Sequence, residues 1–179
     1  MNDTINATLL KRKGTEALSE YVIREITEAD NTYIKQIIQS SLESFGLDIP
    51  GTAYFDPQLD ELHAYYEELP HAKYWVAEVE GKVVGGIGIA PFDERRKICE
   101  LQKFYVSPEA QGLGIGKKLM ETALDFATKY YSQCYLETHH KLEVASILYE
   151  KYGFTLLTEP IPGSEHSAMD RWYIKNLVE

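Results

Sequence analysis

Residues 106–118 read Val-Ser-Pro-Glu-Ala-Gln-Gly-Leu-Gly-Ile-Gly-Lys-Lys. Glycines at 112, 114 and 116 are poor helix material, yet an amphipathic pattern starts at once: Ile115, Leu119, Ala123, Phe126, Ala127 and Tyr130 keep helical spacing. A helix N-terminus carries unpaired amide N–H groups and about half a positive charge. Glycines remove the side chains that would hold an anion away from those amides. A strand, a glycine-rich turn and a helix therefore predict a phosphate cradle. Spacing rejects two common kinds. A P-loop needs G-x-x-x-x-G-K-[ST], but Gln111 stands at its first glycine and Lys118 at its Ser/Thr. A dinucleotide fingerprint needs G-x-G-x-x-G, and the glycines here follow G-x-G-x-G.

The elements on either side set the fold class. Upstream, "YVIREI" (21–26) reads as a strand, and Thr27 or Asp30 can cap a helix that Gly46 stops near Phe45. Pro57 opens a second helix, "PQLDELHAYYEEL", which ends before Pro70. The period then falls from 3.6 to 2 through three strands, "AKYWVAEVE", "VVGGIGIAP" and "ICELQKFYV". Gly85, Gly86 and Gly88 inside the second of these predict a close backbone approach or a bend. After the helix behind the quoted loop come a strand, "CYLET", a helix ended by Gly153, and two terminal strands. The order β-α-α-β-β-β-α-β-α-β-β predicts an α+β domain with a mixed, mostly antiparallel sheet and one parallel crossover. Residues 1–20 show no clean period and read as a leader, flexible or loosely docked, ahead of one domain over 21–179.

Composition bounds the function. With 179 residues, 44% hydrophobic and 26% charged, the chain can bury a real core. A net charge of −10 opposes nonspecific binding to nucleic acid or anionic membrane and weakly suits a cationic substrate. No apolar run is long enough to span a membrane, and the N-terminus lacks the order of a secretory signal. The two cysteines, Cys99 and Cys134, are too few for a disulfide framework or zinc site and read as buried thiols. A cytoplasmic protein is the expectation.

The pattern that does fit the loop is Q-x-x-G-x-G, carried by Gln111, Gly114 and Gly116. With "CELQKFYVSPEAQG" before it, "GKKLMETALDFA" after it and the distal "CYLETHHKLEVASILYEKYGF", the chain resembles the GNAT superfamily of acyl-CoA-dependent N-acetyltransferases. The resemblance covers about residues 21–175 and is strongest from Ile98 to Phe154. It implies a sheet splayed at its centre between the fourth and fifth family strands. It implies acetyl-CoA as co-substrate, with the pyrophosphate on Gln111, Gly112, Leu113, Gly114, Ile115, Gly116 and Lys117, and the pantetheine arm along Phe104, Tyr105 and Val106. It further implies transfer of the acetyl group to a primary amine by direct attack, the amine belonging to a small molecule or a peptide. Homodimers are common in the family, so one is open here.

Proton handling is assigned by the same resemblance. Tyr149, four residues before Gly153, stands where the family places the acid that protonates the departing thiolate; its alternative is packing or hydrogen bonding to the cofactor. Glu100, six residues before Val106, stands where several members place a glutamate that deprotonates the amine through water, against a merely outward-facing or substrate-orienting role. Glu137 is a second carboxylate for the substrate ammonium, or a loop cap. One departure is Leu142, where many members carry an asparagine that contacts CoA; Ser146 is a compensating candidate. The acceptor groove would draw on Tyr54 and Phe55, with Phe45, Asp56, Tyr65, Tyr66, Glu67 and Glu68 nearby. No metal is expected, because His139 and His140 are adjacent and on an extended segment would point apart. The rival to an enzyme is an acyl-CoA-binding sensor or scaffold of the same fold that has lost its chemistry.

Overall fold

The computed structural model describes residues 6–9 and 20–178. One eight-stranded sheet runs β1-β2-β3-β4-β5-β6-β8-β7. Its members are β1 (Asn6–Leu9), β2 (Glu20–Glu25), β3 (Lys73–Val79), β4 (Lys82–Asp93), β5 (Ile98–Val106), β6 (Gln133–Thr138), β7 (Thr155–Leu157) and β8 (Arg171–Asn176). Every neighbouring pair is antiparallel except β5 with β6, the parallel crossover. Helices α1 (Asn31–Ser44), α2 (Leu62–Glu68), α3 (Ile115–Ala127) and α4 (Glu143–Lys151) follow in chain order. The element order from β2 onward is that expected of the α+β reading. Within the stretch read as a leader, Asn6–Leu9 pairs with β2; the rest of residues 1–19 lies outside the described residues. No helix among the described residues is long and apolar enough to cross a membrane.

Two cores form because the sheet is apolar on both faces. On one, Ile34, Ile38 and Leu42 of α1 pack with Leu59, Leu62, Tyr66, Tyr74 and Val76. On the other, Ile115, Leu119, Met120, Ala123 and Ala127 of α3 pack with Ile87, Ile89, Cys99 and Leu101. Tyr130, expected on the α3 stripe, lies past the helix end and is exposed. The expected single helix after Asp56 divides into a 3₁₀ turn, Pro57–Glu61, and the shorter α2. Leu59 in the turn and Leu62 at the start of α2 reach the same core, both essentially inaccessible. Cys99 and Cys134 are buried free thiols on paired strands.

Two irregularities shape the centre. The β5–β6 pairing runs only from Ile98↔Gln133 to Glu100↔Tyr135, although β5 continues to Val106 and β6 to Thr138. The strands therefore part beyond Glu100. Against β4, Gly88 pairs with Gln102 but Gly86 with Tyr105, so β5 carries one extra residue there, a bulge with Lys103 at φ +49°. Cys99 and Leu101 precede it and Phe104 and Val106 follow it in the α3-side core. The bulge thus shifts the alternation and sends the Lys103 side chain to the face of α1 and α2.

Candidate active site

The loop before α3 has the conformation its glycines predict. Gly112 and Gly114 take φ +77° and +80°, a left-handed region that side chains rarely adopt, and a Cβ at either would meet nothing within 4 Å. The room in front of the helix is thus open. Gln111 turns back so that its Nε2 donates to the Val106 carbonyl at 3.0 Å, tying the loop to the end of β5. Gly116 packs in the first turn of α3, where a Cβ would lie 3.4 Å from the Phe104 ring. Lys117 is exposed and lies 3.7 Å from Glu121, four residues on.

On the other wall of the splay, α4 presents Tyr149, buried with its ring 6.4 Å from Phe104 and 5.8 Å from Tyr173, centroid to centroid. Burial pushes its phenol well above the usual tyrosine range, reinforced by Tyr105 and other neighbours, so it stays protonated. Ser146, one turn earlier, and Ser107, just past the end of β5, are buried hydroxyls with no hydrogen-bond partner among the described residues. A buried unpaired hydroxyl costs about 1–3 kcal/mol. Two of them beside a parted pair of strands, together with an open glycine turn, fit a polar, extended ligand such as coenzyme A. Leu142 lies at the start of α4, its carbonyl accepting from the Ser146 N–H at 3.2 Å.

The α1–α2 face of the splay holds a charged cluster. Glu100 accepts from Gln102 Nε2 at 2.6 Å, and Gln102 Oε1 accepts from the Tyr66 hydroxyl at 2.8 Å. Tyr66 can lie against the sheet because β4 has Gly88 there: a Cβ would sit 2.3 Å from its hydroxyl oxygen. Gly86 makes room in the same way for Tyr74, whose hydroxyl donates to the Lys103 carbonyl at 2.8 Å. Lys103 Nζ reaches Asp56 Oδ2 at 2.6 Å, with only 1% of the lysine side chain exposed. Asp56 also holds His166 Nε2 at 3.1 Å. One ring nitrogen of His166 and one carboxylate oxygen from each of Glu100 and Glu137 lie within 4.8 Å of one another. Glu137 Oε1 accepts from the Tyr135 hydroxyl at 2.9 Å, while its buried Oε2 has no partner among the described residues. Burial, with the nearby Glu137 charge and against the Gln102 hydrogen bond, pushes Glu100 up to about 6.

Sequence-expected residues divide accordingly. Glu100 and Glu137 come together, and Tyr149 sits in the α3-side core beside Phe104. Tyr54 spends its hydroxyl on Glu43 at 2.6 Å and Phe55 is exposed at the rim, ring to ring with Tyr54. Asp56, the next residue, is the one that turns inward. Lys103 and His166 carry no local sequence signal. A bulge changes which face a residue takes, and no local pattern announced it; His166 sits in a long connection whose path only the fold fixes. The His139–His140 pair departs from expectation. The chain leaves β6 into a turn, so the two rings do not point apart but lie 4.2 Å apart, both beside Asp170. His139 Nδ1 accepts from the Lys141 N–H at 3.2 Å, which leaves its proton on Nε2 and suits a hydrogen-bonded turn better than a ligand.

Comparison with known proteins agrees with this geometry. Residues 36–154 match the model of the acetyltransferase (GNAT) family. The chain is 44% identical over 136 residues to the Escherichia coli (strain K12) protein named uncharacterized N-acetyltransferase YjgM, covering 74% of this chain and 81% of that one. In fold it is similar to a GNAT-family acetyltransferase from Staphylococcus aureus Mu50, with TM-score 0.80, 24% identity, and 88% and 99% of the two chains covered. It is also similar to yncA from Salmonella typhimurium, a structure that holds acetyl-CoA, with TM-score 0.68, 23% identity, and 89% and 95% covered. The chain therefore belongs to the acetyltransferase (GNAT) family and is an N-acetyltransferase.

Proposed function

We propose that the acceptor is a primary amine held as its ammonium between Glu100 and Glu137, with Glu100 taking its proton and Tyr149 serving the sulfur. The observation that carries this reading is the unpartnered, buried Oε2 of Glu137 beside a second carboxylate. Lys103 Nζ and His166 Nε2 are both already committed to Asp56, so among the described residues the carboxylate pair lacks a positive partner of its own. An N–H-rich cation completes it.

Acetyl-CoA supplies an activated acetyl group whose carbonyl carbon the amine attacks directly. The amides of Gln111, Gly112, Leu113, Gly114, Ile115, Gly116 and Lys117 would seat the pyrophosphate. Phe104, Tyr105 and Val106, on the strand edge that β6 no longer covers, would pair with the pantetheine arm through their backbone. Glu100, half ionised near pH 6, removes a proton from the ammonium, because only a neutral nitrogen has a lone pair to offer. Tyr149, protonated at all working pH values, donates to the departing sulfur. Tyr54 and Phe55 at the rim would contact the body of the acceptor.

The test is a panel of spermidine, lysine, n-butylamine and an alanine-starting hexapeptide, followed by thiol release and mass spectrometry. A cationic amine should gain an acetyl group, and Glu137→Gln should raise its KM about tenfold or more. Thiol release without an acetylated amine, or an unchanged KM in Glu137→Gln, overturns the reading.

A further inference from the structure

The Glu137 oxygen that an ammonium would complete is buried, so no amine reaches it unless something beside it moves. The strand that carries Glu137 is a poor candidate, because moving β6 would break its ladder with β8. The connection from β7 to β8, residues 158–170, has no helix or strand of its own. It is tied down at separate points instead. Ile161 N donates at 3.3 Å to the Tyr135 hydroxyl, the group that itself donates to Glu137 Oε1. Ala168 N donates to the Gly51 carbonyl at 3.0 Å. Between these two ties, His166 Nε2 meets Asp56 at 3.1 Å.

We propose that His166 is a positioning residue for the acceptor: through Asp56 it docks residues 158–170 against the Glu100–Glu137 pair, and the docked connection is the wall that admits an amine on an unbranched carbon and resists a branched one. This rests on the carboxylate pair being the seat of the ammonium. A ring nitrogen of His166 and the Glu100 and Glu137 oxygens lie within 4.8 Å of one another. The wall therefore stands beside the nitrogen itself, and the atom it meets first is the carbon bonded to that nitrogen.

The latch is anchored on the sheet rather than on another loop. Asp56 is clamped at 2.6 Å by Lys103 of β5, whose side chain is buried. That ion pair stands without any histidine, so loss of His166 frees the connection and leaves the bulge paired. Gly51 makes the neighbouring tie possible. It sits at φ +83°, and a Cβ there would lie 2.6 Å from Ser167 Oγ and 2.9 Å from Ala168 N. The second of these is backbone, so any side chain at 51 pushes the connection outward.

His166→Ala removes the latch, whereas His166→Gln keeps an N–H donor for Asp56. A first measurement needs no acceptor. Amide exchange at Ile161 and Ala168 should run about tenfold faster or more in His166→Ala and stay near wild type in His166→Gln, with β2 and β3 unchanged in both. Gly51→Ala should loosen the same amides. The second measurement reads the role. The ratio of kcat/KM for n-butylamine to that for sec-butylamine should favour n-butylamine in the wild type. In His166→Ala and in Gly51→Ala it should fall roughly 5- to 10-fold, with KM for acetyl-CoA unchanged. His166→Gln should restore it. Damage to the fold at large would lower both rates together and leave their ratio alone. Unmoved exchange, an unmoved ratio, or a ratio lost equally in His166→Gln overturns the proposal. So does an effect of His166→Ala that Gly51→Ala does not share, since it would belong to the imidazole and not to the connection. Glu137→Gln separates premise from inference. An unchanged KM for n-butylamine removes the seat, and this inference with it; a raised KM beside an unmoved ratio in His166→Ala removes the wall alone.

Discussion

At the scale of the residue, Glu100 carries opposed demands. Its folded pKa of about 6 against an ordinary 4.5 means that the folded protein holds the proton more tightly than the unfolded chain. Stability from this group is therefore full below about 4.5 and is lost as pH rises through about 6. The ionised carboxylate that the proposed role as base needs is the one that burial penalises, by up to about 2 kcal/mol. Glu100→Gln, which keeps an oxygen for the Gln102 amide, should raise Tm by about 2–6 °C at pH 7.5 and by nothing at pH 4. The same variant should lose roughly 100-fold or more in kcat, and wild-type activity should climb as pH rises through about 6. Calorimetry at the two pH values and a pH–rate profile check both halves; a variant less stable than wild type at pH 7.5 contradicts the assignment. Tyr149→Phe is the complementary case. Its ring contacts with Phe104, Phe154 and Tyr173 survive, so affinity for CoA should hold within about twofold while kcat falls roughly 10- to 100-fold. Isothermal titration beside steady-state kinetics distinguishes this from a packing role, which would move both.

At the scale of the element, β4 and β5 work as one device. Gly88 lets Tyr66 approach the sheet, Tyr66 orients Gln102, and Gln102 orients Glu100. Gly88→Ala should cost about 1–3 kcal/mol by overpacking and lower activity through the displaced Tyr66. Because the sharpest collision is with the hydroxyl, Tyr66→Phe should recover part of the stability lost in Gly88→Ala. Additive thermal shifts in the double-mutant cycle would contradict this chain of contacts. Much of the frame was legible in the sequence: period-2 runs gave β3 to β5, and the glycine spacing before Ile115 gave the loop. Even the close approach at Gly85, Gly86 and Gly88 was visible as a strand weakened on purpose. The bulge was not, because Gln102-Lys103 looks like ordinary alternation until β4 fixes the register. Asp56, Lys103 and His166 are therefore a tertiary constellation, assembled from a turn, a bulge and a long connection that share no local pattern. Of the groove residues expected from the sequence, Asp56 turns inward to Lys103 and His166, whereas Phe55 stays at the rim.

At the scale of the whole molecule, the parallel seam joins β1–β5 to β6, β8 and β7 through only Ile98↔Gln133, Cys99↔Cys134 and Glu100↔Tyr135. Beyond Glu100 the sheet gives up its own hydrogen bonds and leaves a strand edge, so a ligand seated there would couple binding to folding. A pantetheine arm lying in the splay would restore pairing along Phe104–Val106, and the orphan hydroxyls of Ser107 and Ser146 would gain partners. At 100 times its Kd, CoA should stabilise the fold by about 2.7 kcal/mol and raise Tm by roughly 5–10 °C. The gain should be local as well as global: amide exchange should slow in β5 after Glu100 and in the turn from Gln111 to Gly116, and hardly change in β2 and β3. Gly114→Asp tests the origin of the effect. It places a carboxylate where the pyrophosphate would sit and a side chain on a backbone at φ +80°. Its CoA-induced shift should vanish, while the variant without ligand should lose only about 1 kcal/mol. An undiminished shift would move the pyrophosphate seat away from residues 111–117. Slowed exchange spread evenly over all strands would mean that CoA tightens the whole sheet rather than closing its seam.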